Sequence, residues 1–359
     1  MKNNNQLNQK LLRAMVEPIS VWYGENRKAL PWREGKNPYY IWLSEVMLQQ
    51  TRTTAVIPYY HRFIAALPSV EDLAEVETDT LMKLWEGLGY YSRARNLKAA
   101  AVRIVEEHGG RLPADFQALR ALPGLGDYTA GAIASIAFGL PEPAVDGNVL
   151  RVIMRLCADE SDIAAPETKK NVTAALREVY PQGEAASTLT EAIMELGENV
   201  CIPNGMPRCL ECPLAGICRG LAENSMLNLP RKSPKKARRV ENRTIFLLEY
   251  DGKIALRQRP DRGLLAGLWE FPSTDGHLDE AQAAEFIRSQ GWEPCAVYPC
   301  GDAVHIFTHV EWHMIGYRIR LASLPDHLTL ATPDELQDYY AIPKAFIHFK
   351  KQALDRPKA

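Results

Sequence analysis

Two carboxylates in this chain stand where a carboxylate is not expected by default. Glu45 lies in IWLSEVMLQQT, four residues after Ile41 and three before Leu48. On a helix that spacing puts it on the apolar side, unlike the usual solvent-facing glutamate. A carboxyl group held there has a raised pKa and can serve as a general acid. The plainer alternative is a structural glutamate paired with Arg33 or Arg52. Asp146 lies in AVDGNVLRVIMRL, directly before a helical pattern. Aspartate is a favoured N-cap, and a capping carboxylate near backbone N–H groups stays ionised. Such an anion is suited to stabilising a cation at a sugar carbon. One acid and one permanent anion divide two roles between two carboxyl groups. That is the chemistry for cutting the bond between a sugar and its leaving group. Whether the two meet in space is left open by the sequence.

Four cysteines form a second constellation. Cys201, Cys209, Cys212 and Cys218 stand in CIPNGMPRCLECPLAGICRG with seven, two and five residues between them. Four thiolates so placed fit a soft tetrahedral centre, zinc or a 4Fe–4S cluster, and spacing does not separate the two. Cys157, in the apolar VIMRLC, reads as core, and Cys295 and Cys300 as bystanders flanking a turn. Seven cysteines is an odd count, which argues against disulfide scaffolding and for a reducing cytoplasm.

The pentapeptide Leu122-Pro123-Gly124-Leu125-Gly126 precedes DYTAGAIASIAFG, a run rich in small residues. Glycines on both sides of one apolar residue make a tight turn between helices, whose amides can face a phosphate. A plain helix–helix turn is the alternative. Aromatic residues are dense nearby: Trp32, Trp42, Tyr90, Tyr91 and Tyr128. Some belong to a core. Those beside turns, Tyr90 in GLGYYSR and Trp32 in LPWR, can stack on a base.

The elements that must position these groups follow from punctuation and period. A chain of 359 residues exceeds one typical core, so two domains are expected. Residues from about 8 to 222 read as a mostly α domain, with LLRAMVEPISVWY repeating its apolar positions at Leu11, Met15, Ile19 and Trp22. Residues 223–240 read as a basic linker. Its run Arg231, Lys232, Lys235, Lys236, Arg238 and Arg239 holds no acid, while the whole chain is close to neutral at a formal −2. Residues 241–353 read as an α+β domain. Asp251-Gly252 should turn a hairpin between two strands, HLDEAQAAEFIRSQG should form a helix, and HIFTHVEWHMIGYRIRLA should be a strand. The polar start, MKNNNQLNQK, has no signal-peptide character, and no run reaches the length of a membrane span. A cytoplasmic monomer is expected.

The motifs LPWRE, WLSEVMLQQT, WEGLGYYSRARNL, LPGLGDYTAGAIAS, VDGNV and EAIMELG, followed by the cysteine loop, cover most of residues 10–220. In this combination the chain resembles the MutY-type adenine DNA glycosylases of the helix-hairpin-helix superfamily, which includes endonuclease III. A weaker similarity, through LLAGLWEFP and Phe307-Thr308-His309, links residues 240–350 to the Nudix fold. The resemblance implies base-excision repair: a helix-hairpin-helix glycosylase domain with an iron–sulfur loop, and a Nudix-like domain that recognises the lesion. The implied partner is double-stranded DNA carrying adenine opposite 8-oxoguanine or guanine.

Residue by residue, the resemblance makes Glu45 the acid that protonates adenine and Asp146 the group that stabilises the cationic sugar, with Tyr128 assisting. Trp32, Arg33 and Glu191 would line the adenine pocket. Gln50, Thr51 and Tyr90 would sit near the lesion, and Leu122, Gly124 and Gly126 would meet the DNA backbone. Phe307, Thr308 and His309 would read the opposite 8-oxoguanine. Cys201, Cys209, Cys212 and Cys218 would hold a 4Fe–4S cluster. The chain departs from the family pattern in the longer first cysteine gap, in Thr308 where serine is frequent, and in Asp127 where a basic residue is common. Tyr128 replaces the lysine used by lyase members, so a monofunctional enzyme is expected. The second domain lacks the glutamate-rich Nudix core, so no pyrophosphatase activity is expected.

Overall fold

Caps and prolines divide the first two thirds of the chain into short helices. The computed structural model describes residues 7–234, 237–323 and 327–355. In chain order the helices are α1 (Gln9–Asn26), α2 (Pro38–Leu48), α3 (Thr53–Ala66), α4 (Val70–Glu75), α5 (Thr78–Leu84), α6 (Ser92–His108), α7 (Phe116–Ala121), α8 (Asp127–Phe138), α9 (Gly147–Cys157), α10 (Pro166–Arg177), α11 (Glu184–Asn199) and α12 (Arg219–Ala222). Asn8, Asn37, Asp115 and Asp146 each cap a helix, their side chains accepting from backbone N–H groups that would otherwise lack partners. No helix among the described residues is long and apolar enough to cross a membrane.

The chain divides into two compact units. The first holds the residues up to Glu75 together with Asn96–Pro234, and the second holds Val76–Arg95 together with the residues after Pro234. In the first unit, α1 buries Leu12, Met15, Ile19 and Tyr23 in a core shared with α9 and α11. The sequence pattern pointed to Leu11 and Trp22 at the ends of this stripe. Steps of three and four both stay on one face of a helix with 3.6 residues per turn, so the expected 4-4-3 spacing and the observed 3-4-4 spacing share that face, and Trp22 still packs against it partly buried. Helix α8 is lined with small residues and buried from Thr129 to Ile136. A Cβ on its Gly131 would stand 2.7 Å from the Pro143 carbonyl oxygen, so only glycine lets the segment leading to Asp146 lie this close.

Among the described residues the second unit contains a seven-stranded mixed sheet. Its strands are β1 (Arg239–Tyr250), β2 (Lys253–Gln258), β3 (Trp269–Glu270), β4 (Ser273–Asp275), β5 (Pro294–Ile306), β6 (Val310–Leu321) and β7 (Thr329–Ala331), with helices α13 (Glu280–Ser289), α14 (Pro333–Asp338) and α15 (Ile347–Leu354). The order is β3-β2-β1-β6-β5, with β4 on β1 and β7 on β2. β1 and β6 run parallel, and the other pairs are antiparallel. Asp251 and Gly252 both take positive φ, 49° and 71°, and turn β1 into β2 as their sequence implies. Asp279 and Gln282 form a capping box at the start of α13. The run HIFTHVEWHMIGYRIRLA is not one strand: residues 307–309 break it into β5 and β6. Cys295 and Cys300 lie within β5, beside its register irregularities, and do not flank a turn.

The cysteine loop requires a correction. The expected 4Fe–4S cluster on Cys201, Cys209, Cys212 and Cys218 is not supported, because no group of three or more His, Cys, Asp or Glu among the described residues is placed to hold a metal ion. The iron–sulfur and metal-binding assignments fall with it. The four cysteines are free thiols. Cys201 Sγ accepts a hydrogen bond from Arg155 Nη1 at 3.3 Å, and Cys218 Sγ donates to the Arg155 carbonyl at 3.5 Å. Burial pushes the Cys212 thiol up to about 12 and raises Cys209 and Cys218. Cys201, Cys212 and Cys218 pack against the α1–α9–α11 core as small apolar groups. Spacing alone placed four sulfurs within reach of one another in sequence, but it carried no information on their protonation or convergence.

Candidate active site

Helix α2 is buried along its length from Ile41 to Met47, so Glu45 has no solvent-facing side to occupy. Asn37 caps this helix and Pro38 starts it, which sets the register that turns Glu45 inward. The carboxyl group of Glu45 accepts a hydrogen bond on Oε2 from Tyr128 Oη at 2.9 Å. Burial pushes the Glu45 carboxyl up to about 7. The Tyr128 hydrogen bond and Arg33 pull it down, while the charges of Glu191 and Asp146 push it up. Burial, with Glu45 and Asp146 nearby, also raises Tyr128 well above its ordinary range, so the phenol keeps its proton and acts as the donor.

Asp146 caps α9. Its Oδ1 accepts from the N–H groups of Asn148 at 2.9 Å and Val149 at 2.8 Å, and its Oδ2 from Asn148 Nδ2 at 3.0 Å. Burial nevertheless raises its pKa, with these hydrogen bonds and Arg151 opposing the rise. The sequence pointed to the hydrogen bonds and missed the burial. The charge of Asp146 reaches both Glu45 and Tyr128, so the structure brings the three groups into one electrostatic neighbourhood.

Arg33 does not pair with Glu45. It lies 2.9 Å from Glu191 and 2.7 Å from Glu195, and it donates to the Lys28 carbonyl at 3.0 Å. Its guanidinium lies 5.4 Å from the Tyr23 ring centroid. Burial raises the Glu191 carboxyl, against the pull of Arg33. Trp32 is buried, edge-on to Tyr60 at 5.4 Å. Glu195, Tyr23 and Met194 were absent from the sequence reading. Glu191 and Glu195, one helical turn apart on α11, were the available signal for a two-carboxylate clamp on one arginine. Met194 Sδ lies 4.0 Å from Tyr128 Oη, a side contact that no pattern announces.

In the hairpin between α7 and α8, Leu122 is buried and Gly124 has φ 76°. A Cβ on Gly124 would stand 2.5 Å from Cβ of Asn96, so this position needs glycine twice over. Gly126 caps α8 with open space around it. Asp127 forms an ion pair with Arg120 across the hairpin, which neutralises the acid found where a basic residue was expected. A concavity of about 520 Å³, lined by Gln117, Arg120, Ala121, Leu125, Gly126 and Asp127, adjoins the turn.

Gln50 and Tyr90 share a backbone feature: left-handed conformations, with φ 58° and 49°. Such geometry costs a non-glycine residue roughly 1–2 kcal/mol. Both are exposed, and Thr51 beside Gln50 is half-buried. In the second unit Tyr90 Oη lies 3.4 Å from Thr308 Oγ1, across 218 residues of sequence. Phe307 packs on Trp312 at 4.9 Å, while Thr308 and His309 project outward. Of the basic run, Arg231 pairs with Glu160, Arg238 donates to the Phe307 carbonyl, and Arg239 pairs with Glu241. Lys235 and Lys236 lie outside the described residues.

A helix–turn–helix bundle with a buried acid, joined to a mixed β-sheet unit, defines a class as well as a fold. The family model described as HhH-GPD superfamily base excision DNA repair protein matches residues 43–182, and a NUDIX domain model matches residues 244–352. A solved thermostable thymine-DNA glycosylase is 26% identical, covering 60% of this chain and 98% of that one, with a TM-score of 0.53. A trapped endonuclease III–DNA covalent intermediate is 25% identical, covering 61% of this chain and 99% of that one, with a TM-score of 0.51. The adenine DNA glycosylase of Mus musculus is 33% identical over 394 aligned residues, spanning 89% of this chain and 76% of that protein. This chain belongs to the adenine DNA glycosylases, the MutY-type family of base-excision repair glycosidases.

Proposed function

We propose that this chain releases adenine paired with 8-oxoguanine or guanine by hydrolysis alone, with Glu45 delivering the proton. The observation that carries this reading is the buried Glu45 carboxyl, held by Tyr128 at 2.9 Å with a pKa pushed up to about 7. Near neutral pH such a group keeps a large protonated fraction and is still a strong enough acid to give that proton up. Proton transfer to the adenine ring makes the base a neutral leaving group. The C–N bond then breaks with its electron pair moving to the base, and the sugar carries the positive charge until water adds. Asp146 supplies the negative charge facing that cation. Arg33, clamped by Glu191 and Glu195, and Trp32 shape the pocket wall.

Tyr128 also argues against a lyase. It has no amine to form a Schiff base with the opened sugar, and its phenol stays protonated. The second unit supplies the reading of the opposite base through Thr308 and His309, with Tyr90 beside them. Gln50 and Thr51 contact the DNA near the lesion, and the amides around Gly124 and Gly126 hold its backbone. The test is a duplex with adenine opposite 8-oxoguanine: free adenine is released, and the strand stays intact until alkali is added. Efficient borohydride trapping of a covalent complex overturns the monofunctional reading.

A further inference from the structure

Tyr90 and Thr308 come from stretches far apart in the chain, and a single 3.4 Å contact does not bring them together unaided. Within the second unit, the segment Val76–Arg95 is attached to the C-terminal portion at one dense polar point. Glu86 Oε1 accepts from Lys350 Nζ at 2.9 Å and from the Ile342 N–H at 3.1 Å, and Glu86 Oε2 lies 2.7 Å from Lys83 Nζ. Lys83 Nζ also donates to the carbonyls of Gln337 at 2.5 Å and Tyr340 at 3.3 Å. Lys350 is buried, with a side-chain exposure of only 7%. An ammonium group in that position needs its carboxylate, because an uncompensated buried charge is expensive. Two further ties join the same segments: Trp269 Nε1 to Asp79 at 3.4 Å, and Arg95 Nη1 to the Ala266 carbonyl at 2.7 Å.

Four residues beyond Glu86 the chain enters the Tyr90 turn. Arg93 donates to the carbonyls of Leu88 and Gly89 and lies over the rings of Trp85 and Tyr90, at 5.3 and 5.6 Å. The turn is therefore stiff, so displacing its base displaces Tyr90. We propose that Glu86 is a positioning residue for specificity: through Lys83, Lys350 and the Ile342 amide it sets Tyr90 against Thr308, so that the two hydroxyls read the base opposite adenine as one unit. This rests on the reading that Tyr90 and Thr308 contact that base. It adds the device that assembles them.

The test uses the full-length protein and two duplexes, adenine opposite 8-oxoguanine and adenine opposite guanine, at one fixed salt concentration. Glu86→Ala is expected to lower the ratio of the two dissociation constants by about 2- to 10-fold, the size expected for losing one neutral hydrogen bond. Single-turnover adenine release from the bound 8-oxoguanine duplex should stay within about 2-fold, because proton delivery belongs to Glu45. Combining Glu86→Ala with Tyr90→Phe should cause no further loss beyond Tyr90→Phe alone, as expected when one residue acts through the other. Glu86→Gln with Lys350→Met removes the buried Lys350–Glu86 pair and leaves the partly exposed Lys83 beside a neutral amide. It should restore thermal stability but not the ratio, separating positioning from mere folding. If Tyr90→Phe and Thr308→Ala both leave the ratio unchanged, the reading of these residues is wrong and the proposal falls with it. If they lower the ratio while Glu86→Ala and the double charge variant do not, the reading stands and the positioning role of Glu86 is overturned.

Discussion

The acid pocket of the first unit and the Tyr90–Thr308 contact of the second are built on opposite principles. Glu45 is buried, and the half-buried Tyr128 at 2.9 Å and the charge of the half-buried Asp146 act on its carboxyl, whose pKa is raised. Around Tyr90 the groups are exposed, the hydroxyl contact is 3.4 Å, and a left-handed backbone aims the side chain. Low-dielectric surroundings magnify electrostatics and suit the making and breaking of bonds. A solvent-facing hydrogen bond between neutral groups contributes only about 0.5–1.5 kcal/mol. Under the proposed function, bond breaking belongs to the first of these environments and base reading to the second.

The comparison is broken most directly at Glu45. Glu45→Gln keeps the shape and removes the proton, so single-turnover adenine release should fall by about 10²–10⁴-fold. Binding to lesion DNA should change little. Release within a few-fold of the parent would remove Glu45 as the acid. Asp146→Asn should approach the same loss. Asparagine still caps α9, so the melting temperature should hold within a few degrees while activity disappears. A variant inactive only because it melts would return Asp146 to a purely capping role.

The raised pKa of Glu45 also makes a stability statement. Its folded value of about 7 lies above the ordinary value of 4.5, so the penalty falls on the ionised folded state. Below pH 4.5 parent and Glu45→Gln should not differ on this account. As pH rises from 4.5 to about 7 the parent should lose roughly 3 kcal/mol relative to the variant, with no further loss above that. Denaturant titrations of both proteins at pH 5 and pH 8 measure it, and a constant difference would show that Glu45 is not buried as an acid. Activity should decline over the same alkaline limb as the proton is lost.

The smallest effect belongs to the exposed region. Thr308→Ala with His309→Ala should weaken binding opposite 8-oxoguanine relative to guanine, each lost hydrogen bond costing about 0.5–1.5 kcal/mol. Single-turnover release on the 8-oxoguanine duplex should move far less than in either carboxylate variant. An unchanged ratio of dissociation constants would show that discrimination lies elsewhere in the chain.

Much of this architecture was legible in one dimension. The apolar neighbours of Glu45, the Asp146 cap, the Gly124 turn and the Asp251-Gly252 hairpin are local rules, each written within a few residues. Local rules failed where a longer range decided. The α1 stripe slipped by one at each end, the β5–β6 run was broken at 307–309, and four closely spaced cysteines did not make a metal site. Spacing in sequence reports neither which sulfur a neighbouring arginine engages nor how deeply each thiol is buried.

What the sequence determined by itself was the set of groups: one carboxyl in an apolar helix, one capping carboxylate, a glycine hairpin, and a tyrosine directly after it. What only tertiary structure decided was their partners. Tyr128 reaches Glu45 across 83 residues, Arg33 is claimed by Glu191 and Glu195, and Tyr90 meets Thr308 in the second unit. The physical reason is that a pKa, an ion pair and a burial depth are properties of three-dimensional neighbours. A helix period or a cap is a property of the few residues that make it.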